Sequence, residues 1–182
     1  MDYEGATATA AEPSDLSGMA CPISFKRGTS DDTLAAQVRQ EITELLPWYD
    51  LARERRGRTT FGAAGLEIEA LVDLLVAWSE GKPPPAKPAN AAAPPSVATL
   101  KLSVEDLKAF YLESAGAQPS ALGSRDFANW LWSETAGGRL LVAVHKACVA
   151  SPDASWRLVG ANYIVPRAVW GRLGIDAATW QS

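Results

Sequence analysis

The sequence predicts an all-α protein, folded as a single compact bundle of about six helices. The clearest sign is the stretch 124–150, where apolar or small residues recur at helical spacing over about seven turns. A helix that is apolar over most of its surface must be surrounded by other parts of the protein, so we expect this stretch to lie at the centre of the core. No segment alternates apolar and polar residues convincingly enough to predict a strand.

The first predicted helix begins where Thr29 and Asp32 have the spacing of a capping box. We expect Pro47 to interrupt this helix and to open a short second one, because proline lacks a backbone donor and suits the first helical position. Gly57 should end the short helix, and the glycines and threonines of residues 58–65 predict a loop. The apolar face of the first helix consists of Leu34, Val38, Ile42 and Leu45.

A further helix is expected over residues 66–80. Residues 82–95 contain six prolines and predict a Pro/Ala-rich surface linker between an N-terminal helical segment, 29–81, and a C-terminal one, 96–182. Because the first segment offers only about three helices, we expect both segments to pack as one domain. Residues 1–28 are small, polar and aperiodic, which predicts a flexible N-terminal arm.

In the C-terminal segment, Ser103 and Asp106 resemble a second capping box, and Ser124 is placed to cap the long central helix. Gly137 and Gly138 lie within that helix, where each glycine costs roughly 1 kcal/mol relative to alanine. We therefore expect either a kink at this pair or the close approach of another helix. Pro152 and Asp153 should start the next helix, which Pro166 ends. Its buried side is assigned to Trp156, Val159 and Tyr163.

Composition places the chain among ordinary globular proteins and gives little direction on function. Its 182 residues are 47% hydrophobic and 21% charged, with a net charge of -4, which disfavours nucleic acid as a partner. Two cysteines are too few for a disulfide framework, and no apolar run is long enough to cross a bilayer. We expect a cytoplasmic protein without membrane contact. Heavy use of Ala, Arg, Gly and Pro is typical of a GC-rich coding sequence and favours a bacterial source.

The only histidine, His145, lies three residues before Cys148, so both side chains could point at one ion. This pair supports one alternative, a helical bundle that binds a small molecule, a transition metal or haem. Two ligands fall short of the four in a structural zinc site. Cys21 could be a third ligand, but Glu134 is about 16 Å away along a straight helix. We favour a core cysteine beside a hydrogen-bonded histidine, and we expect no cofactor.

No residue is predicted to be catalytic. The sequence lacks the G-x-S-x-G, G-x-x-x-x-G-K-[ST], G-x-G-x-x-G and H-E-x-x-H patterns. A nucleophile would need His145 as its base, and the apolar surroundings of His145 suit packing better than proton transfer. The sequence therefore leans against an enzyme.

The densest charge cluster precedes Thr59 and Thr60, and it could hold a phosphate or a carboxylate of a partner. The simpler interpretation is that these cations stabilise a helix C-terminus and stay solvated. If the cluster is functional, an acidic protein surface is as good a candidate as nucleic acid. The candidate anion site consists of Arg53, Arg55, Arg56 and Arg58.

Seven tryptophans are spread over the chain, and most must be core residues because an aromatic ring buries a large area. Trp170 and Trp180 lie in a short tail close to Arg167 and Arg172. Exposed Trp and Arg together are typical of interface hot spots, although the rings could instead close one end of the bundle. These four residues are the predicted docking site for a partner protein.

Taken together, the patterns favour a non-catalytic protein that acts through protein–protein interaction, as an accessory subunit, assembly factor or adaptor. The partner is expected to be another protein, such as an enzyme subunit. The oligomeric state is left open by the sequence. The arm and linker offer segments that can reach a partner and become ordered on contact.

Overall fold

The computed structural model describes residues 33–82, 96–119 and 124–176, and within them the all-α prediction is confirmed. Helices build this part of the chain, and no strand occurs in it. The predicted arm 1–28, linker residues 83–95 and Thr29 lie outside the described residues. The helices are α1 Leu34–Arg56, α2 Ile68–Ser79, α3 Val97–Ala117, α4 Ser124–Glu134, α5 Ala136–Val149 and α6 Ala154–Val159, followed by a π-helical turn, Gly160–Ile164, and two 3-10 turns, Arg167–Val169 and Gly171–Leu173.

Helix α1 runs unbroken through Pro47, so the predicted interruption at this residue is wrong. A proline removes one helical hydrogen bond, but the residues on both sides of it share one buried face, which packs on α3. That shared packing outweighs the lost bond. Thr33 caps the start of α1 by accepting a hydrogen bond from Ala36 N–H, and Gly57 ends it in the left-handed conformation, as predicted. The buried apolar face consists of Val38, Ile42, Leu45, Tyr49 and Ala52.

Helix α3 begins earlier than the sequence suggested. A capping box joins Ser96 and Thr99, so the start predicted at Ser103 and Asp106 is wrong. Both of those residues are buried well inside the helix, roughly two turns or more from its start. The rest of the inner face of α3 is apolar, with Leu100, Val104, Leu107, Phe110 and Tyr111 nearly inaccessible to solvent. Helix α3 contacts α1 and α2, and those two helices also contact α5, so elements from both halves of the chain share one core.

The predicted long helix 124–150 is two helices, α4 and α5, because the backbone breaks at Thr135. The Thr135 hydroxyl donates to the Leu131 carbonyl at 2.7 Å and accepts from Gly138 N–H at 2.9 Å, so one side chain closes both helix ends. Both alternatives for the glycine pair apply. The chain breaks beside it, and a Cβ at Gly137 would lie 2.4 Å from the Tyr111 ring.

The C-terminal turns pack on α5. Asp153 caps α6, whose first residue is Ala154, so the predicted start with Pro152 at the first helical position is two residues too early. The π-helical turn follows α6 directly. Two carbonyls of this turn bind side chains from other helices: Gly160 O lies 3.0 Å from His145 Nδ1, and Tyr163 O accepts from Lys108 Nζ at 3.1 Å. Val159 is buried, but Tyr163 is 44% exposed, so its assignment to the core is wrong. In the stretches that the structure covers, no helix combines the length and apolarity needed to cross a bilayer.

A candidate binding groove and the predicted sites

The loop that joins α1 to α2, residues 57–67, is fixed by two buried carboxylates of α3. Glu113 Oε1 accepts from the N–H and the hydroxyl of Thr60, both at 2.7 Å, and Oε2 accepts from the Thr59 hydroxyl at 2.8 Å. About two helical turns earlier on α3, Asp106 accepts from Ala63 N–H at 3.0 Å and from Ala64 N–H at 2.8 Å. Five hydrogen bonds therefore hold a glycine-containing loop in one conformation.

The charge of Glu113 suits this role. Burial raises the pKa of its carboxyl group, but the hydrogen bonds from Thr60 and Thr59 and the charge of Arg56 outweigh that effect, so the pKa lies below its ordinary value. Glu113 is thus ionised at neutral pH although only 2% of its surface is exposed. An ionised acceptor makes stronger hydrogen bonds than a neutral one, which stiffens the loop.

The fixed loop forms one wall of a groove with a volume of 460 Å³, within the size range of ligand-binding clefts. The opposite wall is the C-terminal half of α1. The floor is a cluster of three rings, with Phe110 5.0 Å from Tyr49 and 6.3 Å from Phe61 between ring centroids. The lining residues are Leu46, Tyr49, Asp50, Arg53, Thr59, Phe61, Gly62, Gly65, Leu66, Glu67, Ile68 and Phe110. The site is therefore an apolar floor with a charged rim.

The predicted anion cluster meets this groove at one residue. Arg53 lines it, with its guanidinium 5.9 Å from the Tyr49 ring centroid and 3.4 Å from the Asp50 carboxylate. Arg56 contributes charge to buried Glu113 instead, and Arg55 and Arg58 are exposed and do not line the groove. The hydroxyls of Thr59 and Thr60, which were expected to help hold an anion, are bound to Glu113. The Glu113 carboxylate therefore already accepts the hydrogen bonds that these two hydroxyls could donate to an external anion.

His145 and Cys148 are both buried in α5, at 2% and 0% exposure. Burial lowers the pKa of His145, and the hydrogen bond to Gly160 only partly opposes this, so the imidazole favours its neutral form. Burial raises the pKa of Cys148 to about 11, so the thiol is protonated at neutral pH, whereas a metal binds the thiolate. Across the described ranges, no three His, Cys, Asp or Glu side chains are grouped closely enough to hold a metal ion. Cys21 lies outside those ranges.

A second cavity, of 310 Å³, lies beside His145 at the C-terminal end of α5. Its lining is His145, Lys146, Val149, Ala150, Gly174, Ile175 and Asp176, and Cys148 does not contribute. The histidine and the cysteine therefore do not open onto one common site.

The predicted docking tail is folded against the bundle. Trp170 is 6% exposed, its Nε1–H donates to Val165 O at 3.0 Å, and its ring lies 5.8 Å from His145. Arg167 lies over the same ring at 5.6 Å, and Arg172 donates to the Asn129 side chain. Trp180 lies outside the described residues. In this conformation the two arginines are exposed, whereas the Trp170 ring is buried beside His145 of α5.

A third buried carboxylate, Glu41, was missed by sequence reasoning together with Asp106 and Glu113. Its Oε1 accepts from Ala136 N–H at 2.6 Å, and its Oε2 accepts from Gly137 N–H at 3.1 Å and from the Tyr111 hydroxyl at 2.7 Å. Glu41 lies three residues after Val38 and directly before Ile42, which places it on the apolar face of α1. That position on a buried stripe is the one signal in the sequence that could have identified it.

No family model, no curated protein and no solved structure matches this chain.

Proposed function

We propose that this chain is a non-catalytic binding protein whose groove accepts a segment of a partner protein. The observation that carries the proposal is the rigid wall over an aromatic floor: two buried carboxylates fix the loop 57–67, and that loop encloses 460 Å³ above three rings. Loops held by a rigid scaffold are frequent binding elements. A wall that does not have to be ordered on binding loses little conformational entropy.

The rim indicates what such a segment carries. The floor suits one apolar side chain, and Arg53 stands at the edge to pair with a carboxylate that follows it. The ion pair that Arg53 makes with Asp50 opposes this binding only weakly. Both side chains are more than half exposed, and such pairs contribute about 1 kcal/mol or less to stability. A partner carboxylate can therefore replace Asp50.

The mixed charge of the rim favours a peptide over a nucleic acid. Asp50 and Glu67 line the groove together with Arg53, and a polyphosphate chain would meet both acids. The net charge of -4 acts in the same direction. The proposed ligand is thus an extended segment with an apolar anchor and an adjacent carboxylate, on a protein such as an enzyme subunit. We also propose that the protein acts in a bacterial cytoplasm and needs no cofactor.

Site-specific photo-crosslinking tests the proposal. The full chain is expressed in its host with p-benzoylphenylalanine replacing Leu46 or Leu66, which line the groove, or Leu158, an exposed leucine of α6 outside it. We expect the two groove positions to crosslink one protein at a segment with an apolar residue beside Asp or Glu. The Leu158 position should give none of this product.

Two further measurements decide the outcome. A synthetic peptide of the crosslinked segment should compete for the groove, and Arg53→Glu should weaken its binding at least tenfold, whereas Arg39→Glu, an exposed α1 control paired with Asp73, should not. Crosslinks that are absent from both groove positions, or the same product appearing equally from Leu158, would refute the groove as the binding site.

A further inference from the structure

Helix α3 carries exposed leucines on its outer face in addition to its buried inner face. A strip of residues on the outer face follows alternating steps of four and three: Ala98, Leu102, Glu105, Ala109, Leu112 and Gly116. We call this set the α3 strip. Leu102 is 38% exposed and Leu112 is 50% exposed, and Ala109 between them is half-buried. This spacing is the one by which one helix packs lengthwise against another.

The α3 strip is complementary to itself when it is reversed. About Leu107, each residue has a counterpart at equal distance along the helix, which matches Leu102 with Leu112, Ala98 with Gly116 and Glu105 with Ala109. Leucine would thus face leucine, and a small residue would face a small residue. An isologous contact between two copies requires this kind of self-complementarity.

The charges on the outer face are compatible with this reversal to within one residue. Glu105 and Lys108 form an ion pair of 3.0 Å within one chain, and they lie on opposite sides of Leu107. Reversal of a second helix brings the Glu105 of each copy beside the Lys108 of the other. Two antiparallel strips therefore alternate charge at their centre, whereas a parallel pair would set glutamate against glutamate.

We propose that the α3 strip binds a second copy of this chain, with the two helices antiparallel and centred near Leu107. The strip is roughly 27 Å long at 1.5 Å per residue, and it carries two leucines, so its contact area is below the roughly 800 Å² per partner of tight complexes. We expect a reversible dimer with a dissociation constant on the order of micromolar. Tyr163, held against Lys101 at 4.2 Å, borders the strip.

Disulfide trapping tests the orientation. Two single variants, Leu102→Cys and Leu112→Cys, are prepared in the full chain with Cys21→Ser, while Cys148 stays buried. A mixture of the two should form a disulfide-linked dimer of one variant with the other, because the two sites face each other. Either variant alone should crosslink far less, since its two cysteines would lie roughly 15 Å apart along the helix axis.

Sedimentation of the full chain from 1 to 500 µM tests the association itself, with Leu112→Asp compared with Leu46→Asp. These leucines have similar exposure, at 50% and 37%, but Leu46 lies on α1 in the groove. We expect Leu112→Asp to weaken dimerisation at least tenfold and Leu46→Asp to leave it unchanged. A chain that stays monomeric at 500 µM would overturn the proposal, as would a dimer that Leu112→Asp does not weaken or crosslinking of each variant with itself. Failure of the groove proposal would change none of these results.

Discussion

Two connections between helices are held by the same kind of contact, a buried glutamate, but differ in their glycines. At the loop 57–67 and at the break between α4 and α5, a glutamate from a distant helix accepts backbone N–H groups: Glu113 in the first case and Glu41 in the second. The glycines differ. Gly62 in the loop has φ of 110° and open space around it, whereas Gly138 at the break has helical neighbours so close that a Cβ would lie 1.9 Å from Leu131 O. The loop requires an unusual backbone conformation, and the break requires the absence of a side chain.

The two glutamates also differ in charge. The pKa of Glu113 is lowered, because its hydrogen bonds and Arg56 outweigh burial. The pKa of Glu41 is raised, because burial outweighs the hydrogen bonds from Ala136, Tyr111 and Gly137 and the charge of Arg139. An open groove wall is therefore held by an ionised group, and a closed core joint by a carboxyl group that resists ionisation.

The largest effect is expected at the helix break. Gly138→Ala should destabilise the fold by about 3 kcal/mol or more, because the new Cβ meets the Leu131 carbonyl oxygen, which belongs to the backbone and cannot rotate away. Chemical denaturation followed by circular dichroism measures this. Gly171→Ala is the matched control, since a Cβ there meets nothing within 4 Å, and it should change stability by less than about 0.5 kcal/mol. Equal stability of the two variants would contradict the close approach.

Replacement of Glu113 by glutamine should destabilise the fold more than the same replacement of Glu41, because Glu113 is the more readily ionised of the two. At pH 7, Glu113→Gln should cost about 2 kcal/mol, because the new amide meets a Thr59 hydroxyl that already accepts from Tyr49 and from Phe61 N–H. Glu41→Gln should cost only about 1 kcal/mol, because burial already disfavours the ionised form of Glu41 and replacement by a neutral amide therefore gives up less. Urea unfolding of both variants measures the order, and the reverse order would show that the two joints are held alike.

The smallest effect is a difference in pH dependence. The stabilisation from Glu113 is present above the ordinary glutamate pKa of roughly 4.3 and is lost as pH falls through its lowered folded value. The stabilisation from Glu41 is present below 4.3 and is lost as pH rises through its raised value. From pH 7 to pH 3.5, the deficit of Glu113→Gln relative to the parent should therefore shrink, and that of Glu41→Gln should grow. Parallel curves for the two variants would refute the assignment.

The sequence predicted what depends on local pattern. The helical class, the terminator Gly57 and the loop 58–65 all rest on neighbouring residues, and the structure confirms them. The helix break predicted at Pro47 was wrong, because the packing of the whole of α1 on α3 outweighs one missing hydrogen bond.

The candidate groove could not be predicted, because its parts meet only in the folded chain. Glu113 binds Thr60 across 53 residues, and Glu41 binds Ala136 across 95. In the sequence, each of these acids is one charge among many on a helix. His145 and Cys148 attracted attention as rare residue types, but their role as ligands depends on exposure and partners, which spacing along a helix does not reveal.

The π-helical turn Gly160–Ile164 sets the path of the chain that follows it. A turn that holds one additional residue leaves everything downstream about 100° of rotation and 1.5 Å of rise behind an uninterrupted α-helix of the same residues. Beyond this turn Pro166 ends the helical path, and the Trp170 ring centroid lies 5.8 Å from that of His145. The geometry of five residues thus acts as an angular spacer, and shortening it by one residue would send the C-terminal turns to a different face of the molecule.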